Sequence, residues 1–227
     1  MFIAHRGLVK KGITENTIPA FLGAINNDLY AGFELDIYTS KDKVFVVHHD
    51  PIIDGKFIWN QTYKELKKKG VIRLTDVLRL KTNKIILIEI KDINIDIDKF
   101  SKLLSKYQSK NLYVMSFFNS VIRKFKNQNF KIGILNYVLN STTEYTYNFI
   151  GILYDVATEH MIKSFRDMGV EVFLYALNKK DKYKFENVYY IVDTIEKWFA
   201  SAKSTLFVIF CKNSKKIKIL LILSIWL

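Results

Sequence analysis

Among the side chains of the first 91 residues that can move protons or neutralise charge, seven stand out by their placement: His5, Arg6, Glu34, Asp36, His49, Glu89 and Lys91. Glu34 and Asp36 stand two apart, so on a strand both carboxylates point to one side. Carboxylates so placed repel, and burial raises the cost further unless a cation holds them. Glu89, at the end of a neighbouring apolar run, offers a further oxygen ligand. Three carboxylates and no thiol make a hard-cation set, suited to Mg²⁺ or Ca²⁺ rather than Zn²⁺. A solvated Glu-x-Asp on an exposed strand is the competing explanation. Phe33, Leu35 and Ile37, which alternate with the acids, need a covered face of their own and weigh against it.

His5 and His49 are two of the four histidines in the chain. Imidazole titrates near neutral pH, so two beside one carboxylate cluster suit a general acid and a general base. Arg6 and Lys91 then suit the neutralisation of a phosphate, one as a planar fork and the other as a point charge. Pairing with Glu34 or Glu89 is their alternative role, and the two roles are compatible. His48 alternates with His49 and is expected to face away from the same pocket. His160 falls in a helical stretch and carries no signal.

These residues need elements that converge. Apolar, β-type runs at 2–5, 33–37, 44–48, 85–90, 111–116, 130–135, 149–153, 171–177 and 188–193 alternate with amphipathic stretches at 17–28, 61–69, 75–81, 97–108, 119–127, 158–168, 179–185 and 194–203. In the first helix Ile18, Phe21, Leu22, Ile25 and Leu29 form the apolar stripe, after a Thr17 cap and with Pro19 in the first turn. Ile85-Ile86-Leu87-Ile88 is apolar on both faces, as in a parallel sheet covered by helices. If 44–48 is the return arm of a hairpin with 33–37, eight strands remain, and a closed (β/α)8 barrel is expected over an open sheet. His5, Glu34, Asp36, His49, Glu89 and Lys91 then fall at or near carboxyl ends of strands, the face on which such a barrel builds its active site.

The 227 residues, 49% of them hydrophobic, suffice for one full core, with no Gly/Ser linker dividing the chain. A net charge of +13 favours acidic partners such as phosphate esters, nucleic acid or anionic membrane surfaces. The lysines are scattered rather than set in one stripe, which argues against nucleic acid. Cys211 is the single cysteine and rules out an internal disulfide. The first strand begins at residue 2, leaving no room for a signal peptide and pointing to the cytoplasm. The end, TLFVIFCKNSKKIKILLILSIWL, holds two apolar runs, 205–211 and 217–227, split by a basic patch. Each is shorter than the ~18–20 residues of a transmembrane helix. Peripheral membrane contact through residues 204–227, a docking segment and a tail without a role all stay open.

HRG at 5–7, ENT at 15–17, AF at 20–21, GFELDI at 32–37, VFVVHHDPII at 44–53 and IEIK at 88–91 together resemble the glycerophosphodiester phosphodiesterase family. SFF at 116–118, LYALN at 174–178 and YYIVDT at 189–194 resemble its later segments, so the likeness covers about residues 1–200. The resemblance implies a (β/α)8 barrel over residues 1–203 with a short insertion after the second strand, about 52–74, and a tail at 204–227. It implies Mg²⁺ or Ca²⁺ on Glu34, Asp36 and Glu89, catalysis by His5 and His49, and phosphate contact by Arg6 and Lys91. Glu15 matches a motif glutamate that orients Arg6 or the metal site. Tyr175 takes the aromatic position where the family carries tryptophan, as part of the substrate pocket. The implied reaction is hydrolysis of a small glycerophosphodiester to glycerol 3-phosphate and an alcohol. The insertion lacks the family's usual Arg-Thr-Thr run, and TIEKWFASAK replaces its usual ending, so the alcohol is left open. Two other readings compete: a lipid-directed phosphodiesterase of the lysophospholipase D or sphingomyelinase D kind, and a degenerate barrel serving as a binding module.

Overall fold

The computed structural model describes residues 1–126, 128–137, 147–177 and 183–193. By its internal packing the chain divides into Met1–Asp193 and Thr194–Leu227, and the described residues belong to the first unit. The helical stretch expected at 194–203, the tail at 204–227 and most of the stretch expected at 179–185 lie outside them.

The strands are β1 (Phe2–Ala4), β2 (Tyr30–Thr39), β3 (Phe45–Val47), β4 (Ile52–Ile53), β5 (Lys56–Phe57), β6 (Ile72–Arg73), β7 (Ile85–Ile90), β8 (Asn111–Ser116), β9 (Lys131–Asn136), β10 (Phe149–Leu153), β11 (Glu171–Tyr175) and β12 (Tyr189–Val192). The helices are α1 (Ile18–Ile25), α2 (Tyr63–Lys68), α3 (Leu74–Leu78), α4 (Ile97–Leu104), α5 (Asn119–Ile122) and α6 (Glu159–Asp167). The ladder runs β1-β12-β11-β10-β9-β8-β7-β2 and closes where β2 pairs β1, all parallel. That is the closed eight-strand barrel expected from the sequence. The run at 44–48 is indeed a return arm: β3 lies antiparallel to β2, with Ile37 opposite Val47, and β6 adds antiparallel to β3.

Period-two alternation sorts the side chains. Ile3, Ile85, Leu87, Tyr113, Met115, Leu135, Phe149, Phe173 and Ile191 fill the interior as one cluster. The residues between them face the helices, as when Phe33 stacks on Phe21 of α1 with ring centroids 4.8 Å apart. A buried Leu, Ile or Phe contributes ~1.5–3 kcal/mol, so the two faces together fix the strand register. Continuing each interior series one step toward the carboxyl end gives His5 after Ile3, Glu89 after Leu87, Phe117 after Met115, Tyr175 after Phe173 and Asp193 after Ile191. The site is thus the uppermost layer of the barrel filling.

Three local expectations are corrected. Helix α1 buries Ala20, Phe21 and Ala24, while Leu22 and Leu29 are 40% and 46% exposed. The stripe is rotated because small residues, Ala20, Gly23 and Ala24, let the helix lie close to Leu8 and the sheet. Thr17 occupies the cap position, yet its hydroxyl donates to the Thr14 carbonyl at 2.6 Å and not into the helix. Strand β11 stops at Tyr175, ahead of 177, because Ala176 adopts a left-handed φ of 57° that ends the ladder.

Candidate active site

Register places the acids. Asp36 and Glu89 are direct partners across β2 and β7, and Glu34 sits one pleat below Asp36. Ligand oxygens of the three lie within 4.8 Å of one another, and all three residues are buried. Burial is the main influence raising the Glu34 carboxyl well above the ordinary carboxylate range, and the Asp36 and Glu89 charges add to it. Burial likewise raises Glu89, against the pull of Lys91.

Positive groups close over this cluster. Lys91 Nζ lies 3.0 Å from Glu89 Oε1 and 3.4 Å from Asp36 Oδ1. Burial works against its charge, but Glu89 and Asp36 outweigh burial and keep the ammonium protonated. The Arg6 backbone N–H donates to Glu34 Oε2 at 2.9 Å, and its Nε lies 3.4 Å from Asp36 Oδ2. Its Nη1 donates to both oxygens of Glu15, at 2.9 and 3.1 Å, so Glu15 orients the guanidinium. Even so, among the described residues Glu34 Oε1 and Asp36 Oδ1 are buried without a hydrogen-bond donor. Two such oxygens in a three-carboxylate set suit a divalent cation of the oxygen-seeking kind.

The turn after β1 makes this possible. Arg6 and Gly7 are both left-handed, with φ of 55° and 85°, which swings the Arg6 N–H back onto Glu34. A Cβ on Gly7 would lie 2.8 Å from the backbone and Cβ of Ala20. Gly7→Ala is therefore expected to lower stability by ~1–3 kcal/mol or more, read as a reduced urea midpoint at unchanged slope. An unchanged midpoint would show that the turn relaxes freely.

His5 Nδ1 lies 2.7 Å from Asp193 Oδ1, which turns Nε2 toward Glu34 Oε2, 4.0 Å away. The bond from His5 holds the Asp193 carboxyl below its usual range. His49 sits two residues beyond the end of β3, and its Nδ1 lies 2.8 Å from Asp50 Oδ1. His48 Nδ1 meets the Asp50 backbone oxygen at 2.9 Å. Because β3 ends at Val47, strand alternation does not extend to this histidine pair. Tyr175 donates to the Asn136 carbonyl at 3.0 Å and meets Phe117 edge-on, with centroids 5.7 Å apart. Tyr137, 61% exposed, stacks on Phe117 at 4.5 Å and completes an aromatic wall over the ends of β8, β9 and β11.

The pattern of the glycerophosphoryl diester phosphodiesterase family matches residues 5–198, most of the chain. The chain belongs to that family. A glycerophosphodiester phosphodiesterase from Thermotoga maritima is 27% identical, with 88% of this chain and 97% of that one covered and a TM-score of 0.72. An Oleispira antarctica phosphodiesterase, solved with the product sn-glycerol-3-phosphate, is 18% identical over 89% and 96% of the chains, TM-score 0.73. The corresponding enzyme of Agrobacterium tumefaciens is 19% identical over 88% and 98%, TM-score 0.69. A search of curated proteins returned no match.

In this glycerophosphoryl diester phosphodiesterase family member, two site residues escape a reading of the sequence. Asn16 is buried and left-handed, φ 56°; its Nδ2 donates to Asp36 Oδ2 at 2.9 Å and its Oδ1 accepts from the Asp36 N–H at 3.3 Å. It orients the carboxylate without contributing a charge. Asp193, the partner of His5, is the second. The signals were present in ENT and in YYIVDT, but a partner 20 or 188 positions away is set by the fold and not by spacing.

Proposed function

We propose that the protein hydrolyses glycerophosphodiesters to glycerol 3-phosphate and an alcohol, using His5 and His49 as general acid and base. In this reading Glu34, Asp36 and Glu89 hold Mg²⁺ or Ca²⁺, Arg6 and Lys91 bind the phosphate, Glu15 orients Arg6, and Tyr175 lines the pocket for the glycerol part. The observation that carries it is the buried triad, with Glu34 Oε1 and Asp36 Oδ1 lacking donors, in the layer that also holds His5 and Lys91. The product bound by the Oleispira antarctica protein supports the choice of substrate.

The cation, when bound, would supply charge stabilisation to the phosphate oxygens as negative charge builds. The chain's own residues do the rest. Arg6 and Lys91 fix the diester at the mouth and offset the same charge. On both histidines a carboxylate occupies Nδ1, Asp193 on His5 and Asp50 on His49, which leaves Nε2 as the working nitrogen of each. One Nε2 takes the proton from the attacking hydroxyl: water gives glycerol 3-phosphate in one step, whereas the glycerol's own hydroxyl gives a cyclic phosphate that water then opens by the same proton transfers. The other gives a proton to the leaving alkoxide, and the paired carboxylate stabilises the imidazolium that forms.

Purified protein with Mg²⁺ or Ca²⁺ is expected to release glycerol 3-phosphate from glycerophosphocholine or glycerophosphoethanolamine, and EDTA to stop it. Release from intact lipid alone would instead support a lipid-directed phosphodiesterase. No turnover across a panel of diesters would support a binding module.

A further inference from the structure

The insertion after β3 carries a surface that the reaction does not use. Ile52 and Phe57 are partners across the β4–β5 hairpin and are 45% and 41% exposed. Trp59, 46% exposed, stacks on Phe57 with centroids 4.5 Å apart and planes 14° from parallel. The hairpin turns at Asp54-Gly55, both left-handed, as a two-residue turn requires. It is braced from behind. Gln61 Nε2 donates to the carbonyls of Lys56 and Phe57 at 2.9 and 3.3 Å. Lys69 Nζ reaches both Asp54 and Gln61, while Ile58 and Leu66 are buried beneath. Three large apolar side chains are thus held outward on a rigid base.

The surrounding charge is one-sided. Residues 52–74 contain six cations (Lys56, Lys64, Lys67, Lys68, Lys69, Arg73) and two acids (Asp54, Glu65), a surplus of four. Asp54 is already taken by Lys69, and Glu65 closes the first turn of α2 through Thr62. Among the described residues no carboxylate forms an ion pair with Lys56, Lys64, Lys67 or Lys68, all of them exposed. Lys41, from the β2–β3 turn, is tied to the insertion, its backbone N–H donating to the Gln61 carbonyl at 2.8 Å.

We propose that this hairpin docks the protein on an anionic phospholipid bilayer, with Ile52, Phe57 and Trp59 in the headgroup layer and the lysines against lipid phosphates. An indole at the edge of a small apolar patch suits the membrane–water interface, and the unpaired lysines match the sign of an anionic leaflet. A protein partner of the ordinary kind would be met by an interface core depleted of charge and a balanced rim, whereas the insertion carries a basic surplus of four, with Asp92 and Asp96 confined to the neighbouring cavity. Docking has a geometric consequence. Trp59 and Pro51 border a cavity of about 760 Å³ that reaches Lys91 and is also lined by Tyr38 and Phe118. The bilayer surface would therefore meet a cavity whose far side is Lys91, the ion-pair partner of Glu89 and Asp36. The proposal stands on binding alone and does not depend on which diester is cleaved.

The test is sedimentation of the full chain with vesicles of phosphatidylcholine, alone or mixed with phosphatidylglycerol. Wild-type protein is expected to partition onto the mixed vesicles and to be released by salt. The double variants I52S/F57S and K41E/K56E should each partition at least ~10-fold more weakly, since one lysine near an anionic surface contributes about fivefold. All four side chains are exposed, so circular dichroism should not change. A second readout leaves the hairpin intact: in the W198F/W226F chain, lipids brominated near the headgroup should quench Trp59. Equal partitioning of wild type and both double variants overturns the proposal and moves any membrane contact to another part of the chain, such as residues 204–227. No partitioning of wild type, or no quenching of Trp59, overturns it outright.

Discussion

Alanine at His49 is expected to lower kcat for glycerophosphodiester hydrolysis by at least ~10²-fold, and alanine at His48 to leave it near wild type. The adjacent imidazoles differ in their partners. His49 Nδ1 meets the Asp50 carboxylate at 2.8 Å, whereas His48 Nδ1 meets the Asp50 backbone oxygen at 2.9 Å. A carboxylate partner stabilises the imidazolium formed during proton transfer more strongly than a neutral carbonyl does. The Asp50 carboxyl is held below its usual range, first of all by its bond from His49, so an ionised carboxylate stands beside that imidazole. His5 has the same arrangement with Asp193, and His5→Ala is expected to match His49→Ala. A loss of ~10² to 10⁴-fold corresponds to roughly 3–5.5 kcal/mol of transition-state stabilisation. Steady-state kcat of the three alanine variants, with unchanged circular dichroism, is the measurement. Wild-type-like turnover in His49→Ala would place the second proton carrier elsewhere, with His48 the next to test.

The barrel was legible because its period-two pattern runs through to the site. Ile85, Leu87, Glu89 and Lys91 share one parity, as do Glu34 and Asp36, so strand ends and inward direction both follow from spacing. The closing ladder then needs only the hairpin reading of β3. What spacing does not contain is pairing across the barrel mouth. Asn16 looks like an ordinary turn residue until the left-handed segment after β1 brings it under Asp36. Asp193 looks like the polar end of a strand until β12 closes against β1 and sets it beside His5. Helix α1 shows the opposite failure: its large apolar residues form a plausible stripe, but close packing selects the face with alanines. The aromatic wall of Phe117, Tyr137 and Tyr175 is likewise a product of three separate strand ends.

Glu34→Gln separates the function of the acidic cluster from its cost to the fold. In the metal-free protein three carboxylates share one buried space, and the Glu34 carboxyl is raised well above the ordinary carboxylate range by burial and by Asp36 and Glu89. A raised acid binds more protons folded than unfolded, so stability from this source is present below about pH 4.5 and falls as pH rises toward the folded value. Glutamine removes the charge, keeps an oxygen for the Arg6 N–H, and places its amide beside carboxylate acceptors. Metal-free Glu34→Gln is therefore expected to melt above metal-free wild type at pH 8 and to lose that advantage near pH 4. Divalent cation should reverse the order. At 100 times its dissociation constant a ligand adds about 2.7 kcal/mol, which for a domain of this size is roughly 5–10 °C in Tm. Wild type should show that rise, larger at pH 8 than at pH 5 because protons compete for the same oxygens. The variant should show little of it and should lose turnover. Thermal melts with and without Mg²⁺ or Ca²⁺ at the two pH values decide the matter. A variant that melts lower without metal and still gains stability from the cation would mean that Glu34 is held by Arg6 as a structural anion, and that the cation sits on other oxygens.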